Sequence, residues 1–200
     1  MDFIYTFLNY IIYSIEINYF QSLIIFTLFL LFYNSLSLPG NALIMISTGY
    51  FFGIYIGFLI SIFTLVFGSL FFYIFISFIL FKFFPKIVTN YSNKVNQYVG
   101  SSSFEYIVLF RIIPGTPLII QNLILSILKV DLFKFLLSTM IGFTPLVFVL
   151  VFFGFQLKNI DSLRDFSISD IFSYEFLIFI FFIVFLIFIR ILYKKRPSNK

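Results

Sequence analysis

The chain has 200 residues, of which 62% are hydrophobic and only 10% are charged. A soluble domain of this size has too little interior to bury so many apolar side chains, so the composition predicts an integral membrane protein. The absence of Cys and His excludes disulfides, thiol chemistry and the usual zinc ligands. The net charge of +5 does not indicate nucleic-acid binding, because five of the thirteen basic residues lie in the last eleven positions. Such a basic tail is typical of a cytoplasmic membrane end.

The first half of the chain is an uncharged stretch over residues 17–81, which follows a predicted interfacial segment over 1–17. As one helix this stretch would be about 98 Å long, roughly three times the hydrocarbon thickness of a bilayer. The sequences SLPGN (37–41) and GYFFGIYIG (49–57) predict where it breaks. The resulting elements are a membrane span near 18–36, a short helix near 39–52 and a long span near 54–81. The short helix, about 21 Å long, is typical of a re-entrant segment.

The second half contains a similar pair of short helices. Ser102 and Glu105 have capping-box spacing and predict a helix start, and the helix should end before Pro114. Thr116 and Pro117 are predicted as the N-cap and first residue of a second short helix. Further spans are expected near 133–154 and 172–190.

The distribution of Lys and Arg favours a re-entrant hairpin over residues 106–127. If this segment enters and returns, ten basic residues lie in the cytoplasm and two outside, whereas a crossing segment gives seven and five. The positive-inside rule prefers the first arrangement. We therefore expect a multi-pass protein of the plasma membrane with both termini in the cytoplasm.

An internal repeat relates the two halves. PGNALI begins at Pro39 and PGTPLI begins at Pro114, 75 residues later. Gly40 and Gly115 follow these prolines, and we predict that the two Pro-Gly pairs, with Pro117, form hairpin turns. Opposite entry of the two hairpins would make an inverted repeat with a substrate site near the midplane. Chance is the alternative explanation, because Leu and Ile matches are common in this composition.

The predicted fold is therefore an all-α polytopic membrane protein with about four transmembrane helices and two oppositely oriented re-entrant helical hairpins in an inverted repeat. The predicted organisation is a membrane domain over 18–155 with repeats near 37–81 and 104–154, an extracytoplasmic loop over 156–171, and a C-terminal helix and basic tail over 172–200.

Arg111 is the most informative residue of the predicted site. It lies about nine residues past the expected helix start, or roughly 13 Å along the helix, close to mid-bilayer. An arginine at that depth usually faces protein or water. With the free N–H groups that follow Thr116, it would suit a phosphate or carboxylate. Gln121 and Asn122 add donors and acceptors, and Asn41, beside the first turn, completes the candidate substrate-binding residues.

A structural role for these residues is the alternative. Arg111 would then extend its guanidinium to the membrane surface, and the two amides would satisfy the broken backbone. Asp131 and Glu175 are possible ion-pair partners of Arg111. The sequence has no nucleophile–base pair, phosphate loop or dinucleotide fingerprint, so we expect no enzymatic activity, no cofactor and no metal.

The sequence FRIIPGTPLIIQN…IGFTPLVFVLVFFG resembles the signature of the VTT domain of the DedA membrane protein superfamily. Arg111, Pro114, Pro117 and Asn122 match its Arg, two prolines and Asn. The remaining matches, expected to serve helix packing or the first hairpin, are Gly142, Pro145, Gly154, Pro39, Gly49, Gly53 and Gly57.

The resemblance implies two oppositely oriented re-entrant hairpins and a link to lipid scrambling, to translocation of polyprenyl-phosphate carriers and to membrane homeostasis. Members that depend on the proton motive force carry acidic residues in or near the first hairpin, which this chain lacks, and Ser126 replaces a frequent glycine. These departures favour the branch related to the yeast Golgi protein.

Three functions follow from the sequence. The first is a transporter or scramblase for an anionic lipid or lipid-linked phosphate, with membrane lipids and a phosphate-bearing headgroup as partners. The second is an ion-coupled carrier of a small anion, and the third is a non-transporting membrane scaffold. No nucleic-acid partner is expected, and the oligomeric state stays open.

The predicted topology can be checked by labelling, because the chain has no native Cys. A cysteine introduced as Asn96→Cys should react with a membrane-impermeant maleimide only from the cytoplasmic side. Reaction from outside would show that residues 106–127 cross the membrane.

Overall fold

The computed structural model describes residues 10, 12–86, 89, 104–112 and 116–158. The chain divides into two compact units, residues 1–158 and residues 159–200. The second unit lies outside the described residues, and with it the predicted helix near 172–190 and the basic tail. The same holds for Ser102 and for the turn residues Pro114 and Gly115.

The described residues are helical, without a strand. The principal helices are α1 (Tyr19–Ser35), α2 (Asn41–Phe83), α3 (Phe104–Ile112), α4 (Leu118–Ile127) and α5 (Leu132–Lys158). A shorter helical segment over residues 12–17 precedes α1. Two of these helices, α2 and α5, are long and apolar enough to cross a membrane. The all-helical prediction is confirmed, and the described part supplies two of the four expected spans.

α2 is two helices that meet at Gly53. This residue has φ 78° and ψ 178°, a conformation that side chains with a Cβ rarely adopt. The hydroxyls of Thr48 and Ser61 are 2.7 Å apart, whereas a continuous helix would separate them by about 20 Å. The chain therefore folds back at Gly53, and the predicted break between a short helix and a long one is confirmed. The two parts span residues 41–52 and 54–83.

α1 and residues 41–52 form a helical hairpin, named hairpin 1 (residues 19–52). The rings of Tyr19 and Phe52 lie 6.0 Å apart at its open end, and the Tyr33 hydroxyl donates a hydrogen bond to the Pro39 carbonyl at its turn. The turn lies beside the middle of the long part of α2, because a Cβ on Gly68 would be 2.4 Å from Cβ of Asn34. α1 thus reaches only half the length of residues 54–83. The span near 18–36 stays a prediction; α1 has 17 residues and ends beside the middle of residues 54–83.

α3 and α4 form the corresponding hairpin 2 (residues 104–127). α3 ends at Ile112, before Pro114 as predicted. α4 begins at Leu118, and its N-cap is Pro117, with φ −56° and ψ 139°. The prediction of Thr116 as N-cap is therefore wrong by one residue, because the extended ψ of Pro117 keeps it outside the helix.

A tight turn over residues 128–131 joins α4 to α5. Lys129 has φ 53°, and the Val130 amide donates to the Leu125 carbonyl at 3.2 Å, a left-handed helix ending of the Schellman type. Asp131 then caps α5, since its Oδ1 accepts from the amides of Phe133 and Lys134 at 3.0 and 3.2 Å. This turn occupies the place that Gly53 holds in the first half.

The long part of α2 runs antiparallel to α5. Tyr73 packs on Phe135 with ring centroids 4.5 Å apart, and Phe58 packs on Phe148 at 5.9 Å. Between these contacts, Leu65 lies in one buried cluster with Phe143 and Val147. The two halves have the same order of elements but run in opposite directions.

Residues 41–52 cross α5 at two glycines. A Cβ on Gly154 would lie 1.8 Å from the Ile46 carbonyl oxygen, and one on Gly49 would lie 1.9 Å from the Val151 carbonyl oxygen. Both backbones therefore approach as closely as only glycine permits, a packing mode common between membrane helices. The crossing fixes hairpin 1 against the second half of the chain.

Substitution of Gly154 should test this crossing. We expect Gly154→Ala to lower the free energy of unfolding in detergent by at least about 2 kcal/mol, because the added methyl meets backbone. Thermal unfolding followed by circular dichroism would measure the loss. Ser47→Ala, in the segment over residues 41–52 that crosses α5, is the control: it removes a hydroxyl that bonds only the Leu43 carbonyl and adds no atom, so the loss should stay below about 0.5 kcal/mol. Equal losses in both variants would contradict the role assigned to the crossing.

Candidate functional site

Arg111 lies at the centre of the described structure, in the last turn of α3. Only 1% of its surface is exposed, so the alternative in which its guanidinium extends to the membrane surface is wrong. Gly142 of α5 lies against it and is ten residues from the start of that helix. This places Arg111 about 15 Å from one end of α5 and about 24 Å from the other.

Gly142 allows this placement. A Cβ at position 142 would lie 2.4 Å from Cβ of Arg111 and 3.2 Å from the Val108 carbonyl oxygen. A larger residue would push the end of α3 away from α5. The rings of Phe135 and Phe143 lie 4.7 and 5.4 Å from the guanidinium carbon, within the range of cation–π attraction. The charge is thus held between helix backbone and aromatic faces.

A hydrogen-bonded chain connects Arg111 to the turn of hairpin 1. Arg111 Nη1 donates to Asn122 Oδ1 at 2.7 Å, and Asn122 Nδ2 donates to Ser37 Oγ at 2.9 Å. Ser37 Oγ lies 3.5 Å from the Asn34 carbonyl oxygen, its acceptor. Asn122 is 0% exposed and Ser37 is 1% exposed. The turn of one hairpin is therefore bonded through buried side chains to the arginine of the other.

Ser37 was not predicted as a site residue. It has φ 49°, an uncommon conformation for a residue other than glycine. Backbone strain of this kind persists only where the surroundings enforce it. Here the bond from Asn122, 85 residues away in the sequence, holds the Ser37 side chain. The serine alone gave no signal of this contact.

Two nitrogens of Arg111 have no hydrogen-bond partner among the described residues. They are Nε and Nη2, which lie on the same edge of the guanidinium and together bind two oxygens of a carboxylate or phosphate. Asp131, one of the suggested partners, instead caps α5, and Glu175 lies outside the described residues. The edge of the guanidinium that recognises anions is therefore buried and unpaired among the described residues.

The other predicted binding residues lie at two helix starts. Thr116 and Gln121 lie at the start of α4, and Asn41 lies at the start of α2. Gln121 Nε2 donates to the Thr116 carbonyl at 3.4 Å, so Gln121 supplies a hydrogen bond to a backbone carbonyl outside the helix, as the structural alternative predicted. Its buried Oε1 has no partner in the described part of the chain. Asn41 begins α2, and its Oδ1 is likewise buried without a partner there. The described contacts therefore do not join Asn41 to Arg111.

Asn34 occupies in the first half the place of Arg111 in the second. It packs on Gly68 as Arg111 packs on Gly142, with an added Cβ at 2.4 Å in both cases. Asn34 Nδ2 donates to Thr64 Oγ1 at 3.4 Å. Both halves thus place a polar side chain against a glycine of a long helix, and in the second half that side chain, Arg111, is charged.

The remaining residues of the family pattern lie in a turn, at a close contact between helices or within a helix. Pro39 and Gly40 lie in the turn of hairpin 1, where Gly40 has φ 91°. A Cβ on Gly57 would lie 2.7 Å from the Thr48 carbonyl oxygen, so Gly57 brings the two parts of α2 together. Pro145 lies inside α5, three residues after Gly142.

The comparisons with known proteins agree with these positions. The family model described as the VTT domain matches residues 38–156, which include the second helix of hairpin 1, all of hairpin 2 and nearly all of both long helices. The chain belongs to the VTT-domain family. It is accordingly a membrane protein, and the resemblance drawn from Arg111, the prolines and Asn122 is confirmed.

A curated relative of this VTT-domain protein is the Transmembrane protein 41 homolog of Dictyostelium discoideum, 30% identical over 152 residues. The alignment covers 74% of this chain and 45% of that protein, so the chain spans about half the length of the relative. No solved structure matches the chain. The preference for the branch related to the yeast Golgi protein stays a prediction.

Removal of the Ser37 hydroxyl should weaken the buried chain of hydrogen bonds. We expect Ser37→Ala to lower the free energy of unfolding by about 1–3 kcal/mol, because the Asn122 amide is left without an acceptor. Thermal unfolding in detergent would measure this. Ser47→Ala, which removes a hydroxyl that bonds only the Leu43 carbonyl on an exposed helix face, should change stability by less than about 0.5 kcal/mol. An equally small loss of stability in Ser37→Ala would contradict the role assigned to this hydrogen-bonded network.

Proposed function

We propose that this protein moves an anionic lipid, or a lipid-linked phosphate, across the membrane as a transporter or scramblase, and that it is not an enzyme. The observation that carries the proposal is the guanidinium edge of Arg111, buried near mid-depth with Nε and Nη2 unpartnered in the described structure. A buried charge without a counter-charge is costly. An anionic group would supply both the charge and the missing acceptors.

The geometry around Arg111 suits a phosphate in particular. Asn122 occupies Nη1 and so orients the guanidinium, leaving a pair of parallel donors for two oxygens of one phosphate. No carboxylate among the described residues forms an ion pair with Arg111. The site therefore keeps a formal positive charge for its ligand.

An apolar groove between the long helices favours a lipid over a hydrated anion. It is open to the outside and has a volume of about 440 Å³. Its lining residues are Leu59, Ile60, Ile62, Phe63, Val66 and Phe67 of α2 and Met140 of α5. Leu59 and Phe63 are 62% and 50% exposed. Such a surface accommodates an acyl chain but offers nothing to a solvated ion.

Passage of a headgroup between the hairpins would require their turns to separate. The bond between Asn122 and Ser37 joins α4 to the turn of hairpin 1, so it must open when a headgroup passes. The same Asn122 holds Arg111. Anion binding by Arg111 and opening between the turns would therefore be coupled through one amide side chain.

The proposed topology places the turn at Gly53 outside and the turn over residues 128–131 in the cytoplasm of a plasma-membrane protein. Hairpin 1 would then enter from outside and hairpin 2 from the cytoplasm, as two re-entrant hairpins.

Reconstitution would test the proposal. Vesicles containing the full chain and a trace of fluorescent phospholipid, or of labelled polyprenyl phosphate, should exchange lipid between leaflets faster than empty vesicles. We expect Asn122→Asp to reduce this rate at least about tenfold, because a carboxylate beside Nη1 neutralises the charge of Arg111 that would attract the lipid anion. Its folded yield should be normal, since an ion pair replaces the bond to Arg111 and the Ser37 hydroxyl can rotate to donate to the new carboxylate.

Three further variants complete the experiment. Arg111→Ala should also lose the activity, and Arg111→Lys should keep only part of it because Lys lacks the paired donors. Lys158→Gln removes an exposed cation at the far end of α5 and should leave the rate unchanged. Full activity of Asn122→Asp would refute the role of Arg111. Wild-type vesicles that exchange no lipid but accumulate a small anion, or that do neither, would favour the carrier or the scaffold.

A further inference from the structure

Lysines are concentrated at one end of the described structure, away from Arg111. Four of the five described lysines lie there, all exposed: Lys82, Lys86, Lys129 and Lys134. Lys82 is in the last turn of α2 and Lys86 follows it by four residues. Lys129 lies in the turn before α5 and Lys134 in its first turn. The fold thus brings together lysines that are far apart in the sequence.

Specific contacts join these segments. The Tyr73 hydroxyl donates to the Val130 carbonyl at 2.6 Å and ties the turn to α2. Lys129 Nζ lies 4.8 Å from the Phe81 ring centroid, and Lys82 Nζ lies 5.5 and 5.6 Å from the Phe78 and Phe83 rings. The two ammonium groups therefore sit over neighbouring aromatic rings at the end of α2.

The carboxylates at this end do not neutralise the lysines. Asp131 has its Oδ1 occupied by two backbone amides as the cap of α5. Glu105, in the first turn of α3, is half-buried and already engaged. Among the described residues at this end, four lysines against two carboxylates leave a formal excess of two positive charges.

The backbone at Lys129 adds a second observation. Lys129 has φ 53°, where glycine or asparagine is the favoured residue. A lysine at this position lowers the stability of the turn, and its side chain makes only an exposed contact with Phe81 that could offset this loss. Strain at an exposed, charged position is the kind that accompanies a binding role.

We infer that Lys82 and Lys129 form a binding site for the headgroup of an acidic phospholipid in the leaflet that this end faces. Lys86 and Lys134 raise the positive potential around it. The exposed rings of Phe78, Phe81 and Phe83, which are 62%, 40% and 62% exposed, lie beside the upper acyl chains. This site is separate from Arg111 and does not depend on the proposed function.

Spin-labelled lipids would test this site in the intact protein. The full chain is reconstituted in phosphatidylcholine vesicles that contain a trace of spin-labelled phosphatidylglycerol or spin-labelled phosphatidylcholine. Electron spin resonance then gives the association of each lipid with the protein. Phosphatidylglycerol should associate more strongly, and the preference should fall when the salt concentration rises.

Two substitutions and a control locate the preference. Lys129→Gly removes the charge and relieves the backbone, so it should keep or raise thermal stability while it lowers the relative association of phosphatidylglycerol by about fivefold. Lys82→Gln should lower it by a similar factor. Lys158→Gln, an exposed lysine at the opposite end of α5, should leave it unchanged. Equal association of both lipids with the wild type, an unaltered preference in Lys129→Gly and Lys82→Gln, or an equal loss in Lys158→Gln would overturn the inference.

Discussion

A buried guanidinium is the constraint on which the described structure depends. Arg111 lies near the middle of the long helices with 1% of its surface exposed, where an unpaired charge would cost several kcal/mol. Asn122, Gly142 and two aromatic rings surround it, and each of these groups belongs to α4 or α5. The positions of α3, α4 and α5 are therefore linked to a single side chain. Through Asn122 and Ser37 the link extends to hairpin 1.

Glycines elsewhere in the chain allow hairpin 1 to pack closely against the long helices. Gly49 and Gly154 let hairpin 1 touch the backbone of α5, and Gly68 lets the end of α1 touch the middle of α2. In lipid the hydrophobic effect does not drive helices together, so close van der Waals packing must do so. Hairpin 1 is consequently fixed along the long helices, which keeps its turn within hydrogen-bonding reach of Asn122 in α4.

Much of this architecture could be predicted from local sequence signals. The break at Gly53, the helix after Pro117 and the candidacy of Arg111 and Asn122 follow from charge, Pro and Gly. The packing of the end of α1 beside Gly68 could not be predicted, because 17 apolar residues look like a short span whatever they pack against. Ser37 was also missed, since a serine in a turn has many local uses and its partner lies 85 residues away. Both misses concern tertiary contacts between residues far apart in the sequence, Asn34 with Gly68 and Ser37 with Asn122, which local spacing does not encode.

The hydrogen bonds from Arg111 through Asn122 to Ser37 do not depend on a group that titrates near neutral pH. Each member donates to the next in a single direction, and the linking groups are an amide and a hydroxyl, neither of which ionises under physiological conditions. Asn122 cannot be reversed, because its amino group would then face the guanidinium. The connection between the hairpins is therefore indifferent to proton concentration. Any sensitivity to acid would have to enter through the ligand or through carboxylates elsewhere in the chain.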